Sequence, residues 1–151
     1  MATVDKTGTG ALLGQYSHTG AAKVFVLSNI VDLTKISNAP DGEVYQALAI
    51  PADTQVLVVK VEILTPSTAT TYAMDIGDGG STAGWDSAIN MKAAAGTFTT
   101  SVAGTDARHV ANNQGYFYDS ADSIDALIEA STTQDGYGPK FRVSALCASF
   151  N

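Results

Sequence analysis

Residues Gln55 to Leu64 read Gln-Val-Leu-Val-Val-Lys-Val-Glu-Ile-Leu. Successive side chains of a pleated strand point to opposite faces, so Leu57, Val59, Val61 and Ile63 share one face, and that face is wholly apolar. Val56, Val58, Lys60, Glu62 and Leu64 share the other, which opens apolar and turns charged. That is the pattern of a strand with one face on a core and the other partly in water. In a lone sandwich the second face would be wet. Val56 and Val58 are therefore expected to lie under the N-terminal segment, a loop such as Ser81 to Gly96, or a neighbouring subunit, while Lys60 and Glu62 stay exposed.

On either side, further strands separated by turn chemistry are legible. Lys23 to Leu33 is dense in β-branched and aromatic residues, among them Val24, Phe25, Val26, Ile30 and Val31, which suit a half-buried pleated surface. Asn38-Ala39-Pro40-Asp41-Gly42 is a turn by composition, and Val44 to Ile50 is a strand. Pro51 to Thr54 is a short corner before the central stretch. Thr65-Pro66-Ser67 ends that stretch, because proline donates no ladder hydrogen bond. Thr71 to Ile76 alternates again, with Tyr72, Met74 and Ile76 on one side, until Asp78-Gly79-Gly80 breaks it. Ser81 to Gly115 is rich in small residues and has no clear period; it is expected to be loop, with one turn of helix within Asp86 to Ala95 and a short strand from Phe98 to Val102. Tyr116-Phe117-Tyr118 and Ser123 to Ala130 restore the pattern, Ile124, Ala126 and Ile128 opposing Asp125, Leu127 and Glu129. The last strand, Lys140 to Phe150, places Phe141, Val143, Ala145 and Cys147 on a core face. About eight short strands and no long helix predict an all-β fold, an antiparallel β-sandwich of jelly-roll type, over residues 23–151. Residues 1–22 hold four glycines and no apolar period. They read as a glycine-rich N-terminal arm, either a free tail or a segment ordered against a partner, with Leu12, Leu13 and Tyr16 as anchors.

Composition excludes several function classes. The chain of 151 residues is the size of one domain, large enough to bury about 68–70% of its unfolded surface. Its single cysteine, Cys147, permits no internal disulfide, which suits a reducing compartment or indifference to redox. Only 15% of residues are charged, and such a surface favours partners. A net charge of −7 with only eight basic residues argues against nucleic acid, whose phosphates require clustered Lys and Arg. No basic and apolar leader is visible at the N-terminus, and no apolar run approaches the ~20 residues of a membrane span; the expectation is a product of the cytoplasm that later joins something larger.

Residues for catalysis are sparse. His18 and His109 are the only histidines, and neither lies in a recognisable motif for hydrolysis. Gly77, Gly79 and Gly80 lack the Lys-Ser/Thr of a phosphate loop. Asp75-Ile76-Gly77-Asp78-Gly79-Gly80 offers two hard oxygen ligands suited to calcium, but it is shorter than an EF-hand loop and lacks the closing glutamate. A strand end and tight turn demands the same residue types for backbone reasons. Trp85, Tyr116, Tyr118 and Tyr137 suit a sugar-stacking platform, and equally a core or a subunit interface. No cofactor or metal is expected, and no enzyme activity.

The order of segments carries a resemblance. Ala49-Ile50-Pro51-Ala52-Asp53-Thr54 leading into Val56-Leu57-Val58-Val59, then Met74-Asp75-Ile76-Gly77-Asp78, resembles the small virion proteins of tailed bacteriophages that decorate (cement) the capsid or form head fibres. Trp85-Asp86-Ser87-Ala88 through Asn90 with Ala93-Ala94-Ala95-Gly96-Thr97, and Ala121 to Asp125 with Lys140 to Val143, extend it over residues 44–147. The resemblance implies a jelly-roll sandwich, homotrimeric, seated on the outside of a capsid and clamping neighbouring major capsid proteins, without cofactor. Leu12, Leu13, Tyr16, Val56, Val58 and Trp85 are the candidate interface residues. The alternative is a fibre or head module that recognises host carbohydrate through Trp85 and the tyrosines.

Overall fold

The computed structural model describes residues 23–36, 40–101, 109, 115–131 and 136–149. The arm with Leu12, Leu13, Tyr16 and His18, and residues 102–108 and 110–114 of the loop expected from Ser81 to Gly115, lie outside the described residues. Among the described residues nine strands follow in order: β1 (Lys23–Asp32), β2 (Val44–Ile50), β3 (Thr54–Thr65), β4 (Tyr72–Asp78), β5 (Ser81–Asn90), β6 (Phe98–Thr100), β7 (Tyr116–Tyr118), β8 (Asp122–Ser131) and β9 (Lys140–Ser149). Among the described residues there is no helix.

The strands form two antiparallel sheets. One has the order β1-β9-β3, with β6 and β7 sharing the far edge of β3; the other is β2-β8-β4-β5. The pairs β1–β9, β2–β8, β3–β6/β7 and β4–β5 nest inside one another. The chain is thus a long antiparallel hairpin whose successive pairs alternate between the sheets, which is the jelly roll expected from the sequence. The core lies between the central strands. Phe141, Val143, Ala145 and Cys147 of β9 and Val56, Val59, Val61 and Ile63 of β3 meet Ile124, Ala126 and Ile128 of β8 and Tyr72, Met74 and Ile76 of β4, all of them buried.

The register of Gln55 to Leu64 against β9 shifts twice, at Leu57 and at Leu64; the first shift changes the reading of the valines. Val56 pairs with Cys147 and Val58 with Leu146, so Leu57 is an extra residue, a β-bulge. A bulge puts two residues opposite one and reverses the phase of everything before it. Val56 consequently points inward and is fully buried in this chain's own core, which corrects the expectation that an arm, a loop or a neighbour covers it. Leu57 leaves the core face, and Val58 stays on the outer face, half-buried.

The expected loop and helical turn after Ser81 are also corrected: residues 81–90 are strand β5, paired with β4. Ten residues of β5 lie against seven of β4, and two register shifts absorb the excess. One irregularity centres on Ala88, whose φ is +53° and whose amide donates to Asp75 Oδ1 at 2.8 Å. A left-handed residue other than glycine carries about 1–2 kcal/mol of strain, partly offset by the smaller chain entropy that alanine loses. Ala88→Gly is expected to stabilise the fold by about 0.5–1 kcal/mol, raising Tm by about 2–3 °C; Ala88→Val, with its branched Cβ, should lower it.

Candidate functional site

The outer face of the β1-β9-β3 sheet is divided along its length. Register places Val24, Ala148, Gln55 and Phe117 in one row, and Val26, Leu146 and Val58 in the next. Val24, Val26, Phe117 and Leu146 are 56%, 44%, 47% and 37% exposed. Scattered exposed apolar residues are ordinary, but a contiguous group marks a contact site.

The opposite half of the same face is charged. Its rows are Ser28, Ser144, Lys60 and Thr100, then Ile30, Arg142, Glu62 and Phe98, then Asp32 and Lys140. Arg142 Nη1 lies 2.8 Å from Glu62 Oε2 and Lys140 Nζ 3.3 Å from Asp32 Oδ2, while Lys60 Nζ sits 4.3 Å from the Phe98 ring centroid. Thr34, through its hydroxyl and amide, and then Lys140, hold the Asp32 carboxyl below its ordinary range. The switch from apolar to charged seen along Gln55–Leu64 thus runs across three strands. Lys140 and Arg142 pair with carboxylates and Lys60 with a ring, and the exposed Ile30 and Phe98 stand among them. The apolar half is left to bury area.

A second constellation is buried. Trp85 Nε1 donates to Tyr118 Oη at 3.1 Å, and Tyr118 Oη donates to Asp78 Oδ2 at 3.0 Å. His109 Nε2 lies 2.7 Å from the same Asp78 oxygen, and its ring packs against Tyr116 with centroids 3.9 Å apart and planes tilted by 41°. Asp78 Oδ1 accepts from the amides of Gly80 and Ser81, both at 2.9 Å, closing the β4–β5 turn. The His109 amide donates to Gly84 O at 2.8 Å, and the imidazole covers Gly84, where a Cβ would overlap it. Burial, reinforced by the Asp78 charge, raises the Tyr118 hydroxyl above its ordinary pKa.

His109 and Asp78 were not brought together by sequence spacing, since 31 positions separate them and no motif links them. The pair is 1% and 3% exposed, and its geometry ties His109 to the β4–β5 turn. Buried polar groups held this way fix one arrangement of a core. Asp75 and Asp78 do not converge as a calcium site: each carboxylate accepts from backbone amides of its own hairpin. Among the described residues no group of three or more His, Cys, Asp and Glu is placed to hold a metal, and no helix is long and apolar enough to cross a membrane. Cys147 is fully buried and its thiol is pushed up to about 12 by that burial, which keeps it unreactive.

Of the candidate interface residues, Val58 lies on the outer face beside Leu146. Val56 and Trp85 have no exposed side-chain surface. Trp85 and Tyr118 fill the core, Tyr116 packs against it, and Tyr137 is exposed; the tryptophan and tyrosines therefore do not form a shared platform. Val24, Val26, Phe117 and Leu146 were not singled out from sequence. The alternation of the first and last strands carried the signal for three of them, but only the register shows that they adjoin.

No family model and no curated protein matches this chain. Solved structures do. A chain of the cyanophage Pam1 capsid asymmetric unit superposes with a TM-score of 0.61 at 16% identity, covering 91% of this chain and 92% of that one. A chain of the capsid of Ralstonia phage GP4 gives 0.62 at 14% identity, covering 89% and 90%. One from the acidic stable capsid of Helicobacter pylori bacteriophage KHP30 gives 0.59 at 14%, covering 87% and 91%. The likeness is one of fold. It runs over most of each chain, so the jelly roll as a whole is what is shared.

Proposed function

We propose that this chain is a structural virion protein that binds the outside of a phage capsid and clamps neighbouring major capsid proteins, as a homotrimer. The observation that carries the reading is the likeness of its jelly roll, over most of each chain, to chains within three phage capsids. The apolar half of the outer sheet face supports it, since contact area is what a clamp requires. A subunit that binds only the assembled shell stabilises that shell by the free energy of binding. The buried position of the His109–Asp78 pair and the use of both turn carboxylates by the backbone favour a role in contact over one in chemistry.

Purified protein added to undecorated shells should co-sediment with them and raise the temperature at which they open. Val26→Asp and Leu146→Asp place unpaired charge on the apolar half and should each weaken binding at least tenfold, about 1.4 kcal/mol, with an unchanged unfolding midpoint. Removal of residues 1–22 should leave the sandwich folded and reduce occupancy; full occupancy of the truncated protein would remove the arm from the clamp. Mass measurement of the free protein at micromolar concentration tests the trimer.

A further inference from the structure

β1 and β2 are the edges of the two sheets on one side of the sandwich; among the described residues β1 pairs only with β9 and β2 only with β8. Between them runs an open groove of about 820 Å³. Residues 29–33 and Ile36 border one side, Val44, Tyr45 and Gln46 the other, and Asp125 lies beside Gln46 across the β2–β8 pair. Consecutive residues of both strands line it. A groove along one face of a strand would touch every second residue, so this one is bordered by the strand edges, where alternate N–H and C=O groups point away from the existing partner. Five residues of strand span roughly 16 Å, room for an extended segment of about five residues.

The lining specifies chemistry as well as shape. Ile30, Ile36 and Val44 present exposed apolar surface. Asp32 and Asp125 supply carboxylates, and no Lys or Arg lines the groove. Asp32 shares Lys140. Asp125 accepts from the Ser123 hydroxyl at 2.6 Å, yet burial and the carboxylates of Asp122 and Asp78 hold its own carboxyl above the ordinary range. A cation entering the groove would relieve that repulsion.

We propose that the groove receives an extended segment of the capsid subunit, added as a strand to the open edge of β1, with an apolar side chain against Ile30, Ile36 and Val44 and a Lys or Arg against Asp125. The assignment rests on the capsid-binding reading. Strand addition takes affinity from main-chain hydrogen bonds and specificity from the alternate side chains, and a negatively lined groove selects a basic segment over an acidic one.

The test uses the full chain on undecorated shells, with a photo-reactive benzoylphenylalanine in place of Val44 and, separately, of Ile36. Cross-links to a basic, extended segment of the capsid subunit are expected, together with at least tenfold slower amide exchange at residues 29–33 on bound shells. Asp125→Lys should lower occupancy at least tenfold and Asp125→Asn by less. Full decoration with cross-links only to residues 1–22, only to a second copy, or to nothing overturns the groove assignment and leaves the capsid reading standing. Failure of the unsubstituted protein to sediment with shells overturns both.

Discussion

Gly77→Ala is expected to lower the unfolding midpoint by roughly 10 °C or more. The Cβ added at Gly77 would fall within the van der Waals radius of the Ser81 carbonyl oxygen and of the Thr82 carbonyl group. Those are backbone atoms of β5 and cannot rotate away as a flexible side chain would. Relief requires β4 and β5 to separate where Ile76 pairs with Asp86 and Asp78 with Ser81, directly over the buried Trp85. Overpacking of this kind costs about 3–5 kcal/mol at the upper end of its range, and for a domain of this size each kcal/mol lowers Tm by about 2–4 °C. Gly79→Ala is the control, because a Cβ there meets nothing within 4 Å. Equal midpoints for the two variants would show that the hairpin does not pack as described.

Asp78→Ala is expected to cost about 3–5 kcal/mol. The carboxylate takes bonds from two turn amides and the Tyr118 hydroxyl and stands against His109. Truncation leaves the turn amides and a buried tyrosine without their acceptor, and loss of one partner from a buried polar pair carries that full desolvation penalty. Tyr118→Phe removes a single hydroxyl from the chain and should cost about 1–2 kcal/mol. His109→Ala should be costly alone, yet it should make Gly84→Ala cheaper, because the imidazole is what a Cβ at Gly84 would strike. A double-mutant cycle by urea unfolding should therefore show a coupling of about 1–3 kcal/mol between positions 84 and 109; additive effects would place the ring elsewhere.

Where alternation was regular, the strands were legible. β8 and β9 carry Ile124, Ala126, Ile128 and Phe141, Val143, Ala145, Cys147 on strict spacing, and all seven are buried. β5 was not legible because its ten residues bend through two register shifts, and its burial follows no period of two. Small residues such as Ala83, Gly84 and Ala88 then read as loop. The Leu57 bulge misled the assignment of Val56 for the same reason: one inserted residue reverses a face, and nothing in the composition of Val-Leu-Val marks it.

The candidate contact surface divides likewise. Val58 was visible as an apolar residue on the wet face of one strand; its neighbours Val26, Leu146 and Phe117 come from three other strands that only pairing brings alongside. The groove between β1 and β2 has no sequence signature, because an edge is a property of which strands pair, and among the described residues β1 and β2 each pair on one side only.

By itself the sequence determined the all-β class, the strand positions outside residues 81–115, the core faces of the regular strands and the absence of a basic or disulfide-built surface. These follow from side-chain period and composition, which are local. Only the tertiary structure decided the inward turn of Val56, the burial of Trp85, the meeting of His109 with Asp78, and the division of one sheet face into apolar and charged halves. Each depends on register between segments distant in the chain, and register is set by how whole strands pack rather than by any one of them.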